Sequence, residues 1–228
     1  MPPLEFGTIR GFGDFRAALL RAGFAVGGEN DEGIFSLRPY MDPSLQYHTG
    51  DPETDPWLWR VRVLEDRALA GGKVFFGKAG WISREWYPLF LAVRRRGKSL
   101  EELYADGLVS RLDREVYRTV AGAGLLPVHK LRERISCDKP SQIEAALSRL
   151  QAGLFLTVCG ETRKLSKDGR PYGWPVSLVC TPEAFFPEDV WGESLRISPG
   201  EAYARIREQV LRLNPQADEK HIRRFIGG

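Results

Sequence analysis

Residues 141–179 read SQIEAALSRLQAGLFLTVCGETRKLSKDGRPYGWPVSLV, and this run predicts one helix followed by two strands. Apolar side chains recur at helical spacing near its start. The apolar face consists of Ile143, Ala146, Leu147 and Leu150. Ser141 and Glu144 have the spacing of a capping box, and Gly153 is placed to end a helix. We therefore expect a helix that begins at Ser141 and ends at Gly153.

Beyond this helix, two strand-like runs flank a turn. Residues 154–158 and 175–179 are mainly apolar, and the pair Asp168-Gly169 between them is a frequent hairpin turn. Four basic residues lie around the expected tip: Arg163, Lys164, Lys167 and Arg170. The pattern predicts a hairpin with a basic tip. Tyr172 and Trp174, beside the tip, could stack on a ligand or hold the two strands together.

Two further helices are predicted upstream of this segment. Their apolar faces consist of Val116, Tyr117 and Val120 on the first, and of Val128, Leu131 and Ile135 on the second. Pro127 suits the first position of the second helix. Three short helices followed by a basic hairpin are the order of a winged helix-turn-helix. We therefore expect an α+β fold, mainly helical, with a winged-helix domain over residues 111–187.

The predicted third helix and hairpin together suggest a surface for nucleic acid. Small or polar residues of the helix face outward in this arrangement, where they can approach base edges. The expected contacts are Ser141, Gln142, Ser148 and Arg149 on the helix, and Arg163, Lys164, Lys167 and Arg170 on the hairpin. Such cations bind backbone phosphates. Winged helices also serve as interaction or dimerisation modules, so a purely architectural role stays open.

The segments on either side are predicted as helical additions to this domain. Residues 1–110 form an N-terminal region that is rich in tryptophan and expected to be mainly helical. Helices are expected over 13–21 and from Arg84 to Arg95 with Ser83 as N-cap, and a strand over 34–37. Residues 188–228 are expected as a C-terminal helical extension, which could dock on the core or form a homodimer.

Composition limits the class of protein more than its function. Hydrophobic residues make up 43% and charged residues 28% of the 228, with a net charge of +3, as in a folded globular protein. The three cysteines do not suggest a disulfide framework or a zinc site, and we expect no cofactor and no metal. The first five residues lack a signal-peptide pattern, and no apolar run approaches the roughly 20 residues that cross a bilayer. A cytoplasmic location is expected, without a membrane partner.

One loop concentrates side chains that could carry chemistry. His48, Asp51, Glu53 and Asp55 lie within eight positions, and Asp51 and Asp55 each precede a proline. An imidazole and carboxylates could act as acid and base, and the nearby Tyr47, Trp57 and Trp59 could stack on an extruded base. Carboxylates before prolines also form turns, and central tryptophans are usually core residues. His48, Asp51 and Asp55 are therefore candidate catalytic residues, with a structural alternative.

Several motifs resemble a known group of bacterial proteins. The helix at 143–150, Gly153-Leu154 and Gly173-Trp174 resemble a winged-helix repeat of the AlkZ/YcaQ DNA glycosylases. Other motifs over about residues 46–187 resemble the smaller proteins called AlkZ-related: His48-Thr49-Gly50, Asp55-Pro56-Trp57, Phe75-Phe76-Gly77-Lys78, Ser83-Arg84-Glu85-Trp86 and Tyr104-Ala105-Asp106-Gly107. The resemblance implies a fold that binds nucleic acid, with DNA as the partner.

The chain departs from the glycosylases at their catalytic motif. Those enzymes carry a Gln-x-Gln motif, or Gln-x-Asp in the YcaQ branch, that positions the hydrolytic water, whereas Gln46-Tyr47-His48 retains only the first glutamine. No catalytic residue is therefore transferred from that group. Three hypotheses follow from the sequence: a DNA-binding protein, a glycosylase-like enzyme acting on damaged bases, and a non-enzymatic module that binds another protein.

Overall fold

The structure, a computed structural model, describes residues 4–29, 31–137 and 139–227. Residues 1–3 lie outside the described part of the chain. They belong to the first five residues, which lack a signal-peptide pattern. The described residues form a mixed α/β fold. The helices are α1 Phe12–Ala22, α2 Pro56–Arg62, α3 Tyr87–Arg95, α4 Leu100–Ala105, α5 Arg111–Ala123, α6 Val128–Arg134, α7 Pro140–Ala152, α8 Pro182–Phe185, α9 Val190–Ser194, α10 Pro199–Leu213 and α11 Glu219–Gly227. The strands are β1 Phe24–Val26, β2 Leu69–Phe75, β3 Lys78–Ser83, β4 Leu125–Pro127, β5 Thr157–Leu165 and β6 Pro171–Cys180.

The six strands found in the described residues belong to one antiparallel sheet with the order β1-β3-β2-β5-β6-β4. The junction between β2 and β5 is the pair Gly71 and Val158, and the Thr157 hydroxyl donates to the Gly71 carbonyl at 2.9 Å. Because this pair connects the strands of the two halves of the chain, the N-terminal hairpin and the C-terminal hairpin form one continuous sheet.

Helices α5, α6 and α7 cover one end of this sheet around a separate apolar core. That core is made of Leu100, Val116, Val120, Leu126, Leu131, Ile135, Ile143, Ala146, Leu147, Leu150, Phe155, Leu156 and Val179. The predicted apolar faces of the three helices are all represented in it. Strand β4 was not predicted, because its three residues are too few to show a period. It pairs with β6 beside the hairpin.

The start of α7 differs from the prediction. Pro140 occupies the first helical turn and Lys139 is the N-cap, so the expected capping box of Ser141 and Glu144 does not form. Proline has no N–H to leave unpaired and its φ suits a helix start, which explains the earlier beginning. Gly153 ends the helix as predicted. The hairpin is longer than expected, since its strands extend toward the turn at Asp168-Gly169.

The N-terminal region contains more strand than predicted. Ser83 ends β3 and pairs with Leu69, so it does not cap a helix, and α3 begins only at Tyr87. Within 34–37, Ser36 forms a single bridge to Val26, where a strand was predicted. The run Trp81-Ile82-Ser83 is buried between two neighbouring strands, and such a short apolar run has no period that separates strand from helix.

The C-terminal helices complete the N-terminal core. Helices α10 and α11 both pack against α3. Phe225 of α11 stacks on Phe75 of β2, with ring centroids 4.1 Å apart, and also contacts Phe24 and Phe90. The segment expected as a C-terminal helical extension does contain helices, among them α10, which has Ser198 as its N-cap, and α11. Among the described residues, no helix combines the length and the hydrophobicity needed to cross a bilayer.

Arg94, at the end of α3, donates hydrogen bonds to three separate backbone segments. Its guanidinium donates to the carbonyls of Val74, Ala152, Phe225 and Ile226 at 2.7–3.0 Å. These oxygens lie in β2 and at the ends of α7 and α11, where helix carbonyls lack partners within their own helix. Burial lowers the pKa of Arg94 to about 9, so the side chain stays charged at neutral pH. The next residue, Arg95, is buried, and its guanidinium donates to the Leu154 carbonyl.

Replacing Arg94 by lysine tests this connection. One ammonium group cannot reach carbonyls spread around a planar guanidinium, so at least one of them loses its partner. We expect Arg94→Lys to lower the free energy of unfolding by about 2–3 kcal/mol. Arg96→Lys, at an exposed position two residues away, is the matched control and should change it by less than about 0.5 kcal/mol. Equal denaturation midpoints for the two variants would refute the assignment.

Candidate nucleic-acid interface

The outward face of α7 is accessible along its first two turns. Ser141, Gln142 and Ala145 are exposed, and Ser148 is half-buried. The Ser148 hydroxyl donates to the Glu144 carbonyl at 2.9 Å, so it is partly occupied by its own helix. The predicted contact residues Ser141 and Gln142 therefore lie on the surface, with no other part of the described chain covering them.

Arg149 has a partner that the sequence did not reveal. Its guanidinium binds the Asp113 carboxylate of α5 at 2.8 Å, and only 5% of the Asp113 side chain is exposed. The same carboxylate accepts from Ser110 in the capping box of α5. Arg149 thus neutralises a nearly buried carboxylate. This contact ties α7 to α5 and leaves Arg149 less available for a phosphate than the prediction assumed.

A groove of about 450 Å³ runs along one side of α7. Glu144, Ser148 and Gln151 of α7 line one wall, and residues of β6 such as Val176 and Ser177 line the other. Arg60 and Lys73, from α2 and β2, close it at the side of the N-terminal region. The Lys73 amine reaches the Ser148 hydroxyl at 3.5 Å. The groove is therefore built jointly by α7, the C-terminal hairpin and the N-terminal region.

The four cations of the hairpin have no ion-pair partners among the residues that the structure describes. Arg163, Lys164, Lys167 and Arg170 are all exposed, and in the part of the chain that the structure describes their side chains form no ion pair or hydrogen bond. Many other cations of this protein are paired, such as Arg84 with Glu188 and Glu193. The hairpin tip thus presents four cations without an ion-pair partner among the described residues, together with one exposed carboxylate, Asp168.

The acidic residues of the His48 loop are largely engaged in its own backbone. Asp55 is fully buried and accepts from the backbone N–H groups of His48, Gly50 and Trp57 at 2.9–3.1 Å. Burial raises the pKa of Asp55, but the backbone donors outweigh it, and the net result is a lowered pKa. Asp51 binds the backbone N–H of Glu53 and the Thr54 hydroxyl, and these bonds lower its pKa. Both carboxylates therefore have a structural role in shaping the loop.

The loop and the hairpin meet through a short column of rings. The His48 ring lies 4.6 Å from that of Trp57 and 6.3 Å from that of Trp174 on the hairpin. The Arg60 guanidinium lies 4.0 Å from the centre of Trp57 and forms an ion pair with Glu161 of β5 at 2.6 Å. The aromatic residues were identified from the sequence, but no sequence pattern indicated that His48 lies beside the hairpin.

The three aromatic residues named for base stacking differ in their accessibility. Trp59 is fully buried, and its indole N–H donates to the Pro52 carbonyl, so the hypothesis that it stacks on a base is wrong. Tyr47 is 42% exposed and Trp57 is half-buried. Tyr47 and Trp57 line an apolar cavity of about 230 Å³ together with Trp81. No group of three or more His, Cys, Asp or Glu residues is placed to hold a metal ion among the described residues.

A comparison with family models identifies one match. The model described as AlkZ related matches residues 9–227, which is nearly the whole chain. No curated protein sequence and no solved structure matches. The family match covers the N-terminal region, the three-helix segment with its hairpin, and the C-terminal helices together.

Replacement of Asp55 by alanine tests its structural role. We expect Asp55→Ala to lower the free energy of unfolding at pH 7 by about 1–3 kcal/mol, because three backbone N–H groups lose their acceptor. The pKa of the folded carboxyl lies below its ordinary value of 3.8, so its contribution is complete above that pH. The difference from the wild type should shrink as the pH falls below about 4. Glu53→Ala, at an exposed position of the same loop, is the control for denaturation curves. A pH-independent difference between Asp55→Ala and the wild type would contradict this role.

Proposed function

Since the chain belongs to the AlkZ-related family, we propose that it binds DNA, with α7 and the hairpin β5–β6 as the contact surface. The family relates the protein to DNA glycosylases, and DNA is the polyanion that this surface fits. The observation that carries the proposal is the set of unpaired cations on the hairpin. A surface on which four exposed cations form no ion pair with another described residue is suited to phosphates, and it keeps a net positive charge beside the single carboxylate of Asp168.

We propose in particular that residues 111–187 form a winged helix. The order α5, β4, α6, α7, β5, β6 supports it, together with the pairing of β4 on the outer edge of β6. In a winged helix the last of the three helices contacts a groove of DNA and the hairpin, as the wing, contacts the backbone. Here these elements are α7 and β5–β6.

The proposed roles of individual residues follow from their partners. Ser141 and Gln142 are exposed at the start of α7, where small polar side chains can reach base edges. Lys164 and Lys167, with the neighbouring arginines, would bind phosphates from the hairpin. Arg149 is assigned a positioning role, because its ion pair with Asp113 holds α7 against α5.

The N-terminal region and the C-terminal extension are proposed as the support of this surface. They share an apolar core, and strand β2 of that core continues the sheet into the hairpin. A cytoplasmic location is part of the same proposal. Catalysis at the His48 loop is not part of it, because Asp51 and Asp55 use their oxygens to shape the loop.

The salt dependence of binding tests this proposal. We expect the quadruple variant with alanine at positions 163, 164, 167 and 170 to bind duplex DNA about 10- to 100-fold more weakly near 100 mM salt. The slope of log affinity against log salt should flatten by about 3–4, because each lost phosphate contact contributes about 0.9. The measurement is fluorescence anisotropy of a labelled duplex over a salt series.

A second quadruple variant removes the same charge elsewhere. Alanine at Arg196, Arg205, Lys220 and Arg223 changes exposed residues of the C-terminal segment and lowers the net charge by the same amount. It should retain the wild-type slope within about one unit. If the two variants lose affinity equally, the hairpin is not a specific contact, and if the wild type binds no DNA at low salt, the proposed function is wrong.

A further inference from the structure

We propose that Trp174, together with His48 and Trp57, forms a stacking platform for one unpaired nucleobase of the bound DNA. This inference rests on the proposed function and specifies its substrate: DNA in which a base has left the duplex stack. On this proposal, the ring column between the loop and the hairpin binds an unpaired base. A regular duplex offers no such base, because all of its bases are paired.

The exposure of Trp174 is the first observation behind this inference. Its side chain is 75% exposed, although indole is one of the largest apolar surfaces that a residue can bury. A hairpin held together by Trp174 would bury the ring against a neighbouring strand. Instead, the centroids of the Trp174 and His48 rings lie 6.3 Å apart in a T-shaped arrangement, and most of the Trp174 ring faces solvent.

The supporting side of the platform is held in place by backbone contacts. Asp55 accepts from the backbone N–H groups of both His48 and Trp57, which fixes the two residues relative to each other. His48 has a φ of +64°, a left-handed conformation that costs energy for a residue with a side chain. The loop thus holds the His48 ring near Trp57 before any ligand arrives, and this reduces the entropy lost on binding.

The hairpin side of the platform is held by an ion pair. Arg60 connects the two sides, since its guanidinium covers Trp57 and also binds Glu161 of β5 at 2.6 Å. Trp174 therefore lies beside His48, whose position is fixed by contacts within the protein. The distance between the loop and the hairpin is set by the protein and not by a ligand.

Charge around the platform favours a nucleobase as the occupant. The hairpin that carries Trp174 also carries exposed cations without ion-pair partners among the described residues, such as Lys167 and Arg170 near its tip, which can bind phosphates of the same DNA. Nucleobases stack on aromatic side chains whatever their sequence, because every base has a π-face. A base inside a duplex is already stacked on its neighbours, so the free face of Trp174 suits an unpaired one.

The experiment compares three labelled DNA probes of one sequence: a perfect duplex, the same duplex with a single-nucleotide bulge, and a single strand. We expect the wild type to bind the bulged duplex about fivefold or more tightly than the perfect duplex. Trp174→Ala should bind both within about twofold of the wild-type affinity for the perfect duplex. Trp174→Phe should retain most of the preference, because a phenyl ring still offers a π-face.

Tyr172→Ala is the matched control. Tyr172 is an exposed aromatic residue of the same strand, and it lines a different cleft, between the hairpin and α6. This variant should keep the preference for the bulge. A 2-aminopurine base placed in the bulge gives a second readout, since stacking on Trp174 should quench its fluorescence in the wild type and not in Trp174→Ala.

The outcomes separate this inference from the proposed function. Equal affinity of the wild type for bulged and perfect duplexes overturns the platform and leaves duplex binding intact. An equal loss of preference in Tyr172→Ala and Trp174→Ala overturns it as well, because a general effect on the hairpin would then explain the loss. Absence of binding to all three probes at low salt overturns both proposals.

Discussion

The attachment of the C-terminal end of α7 to strand β2 determines how the two parts of the molecule sit together. The Gln151 side chain, 6% exposed, accepts the Lys73 backbone N–H at 2.7 Å. A Cβ at Gly72 would lie 2.8 Å from the Gln151 oxygen, so only glycine allows this approach. One residue further along α7, the Ala152 carbonyl accepts from Arg94 at 2.7 Å. A buried amide and a buried guanidinium must both keep their partners, because leaving either unpaired costs more than the bond contributes. The direction of α7 is therefore set by the N-terminal core as well as by its own helical neighbours.

The continuous sheet also fixes the position of the hairpin relative to the N-terminal core. Since β5 pairs with β2 at one residue pair and then with β6, the hairpin leaves the sheet at a fixed position beside the His48 loop. The ion pair of Arg60 with Glu161 connects the two where they meet. As a result the groove along α7 has walls from α7, β6 and the N-terminal region. A three-helix unit with a hairpin would not by itself form this groove. The family match over residues 9–227 is consistent with a unit whose parts function together.

Sequence periodicity predicted the parts of the fold that depend on local patterns. The three helices α5, α6 and α7, the hairpin turn and α10 all have apolar spacing, caps or turn residues that can be read within a few positions. What could not be predicted depends on distant partners. Strand β3 is short and buried, and its identity as a strand follows from β1 and β2 on either side. The burial of Arg94 follows from carbonyls up to 132 positions away. For the candidate site, the outward residues Ser141 and Gln142 were predictable, but the pairing of Arg149 was not.

The ion-pair partners of the cations determine where on the surface the positive charge of this chain is exposed. A net charge of +3 on 228 residues says little, since it is the difference between 33 basic and 30 acidic residues. Local pairing decides where the excess appears. Arg60, Arg84 and Arg149 are neutralised by carboxylates that also connect secondary-structure elements, and their charges serve the fold. The hairpin tip has cations without such partners, so its field extends into solvent, where it can attract a polyanion. The hairpin is thus one place where cations without ion-pair partners among the described residues are concentrated, and the aromatic column lies beside that same hairpin.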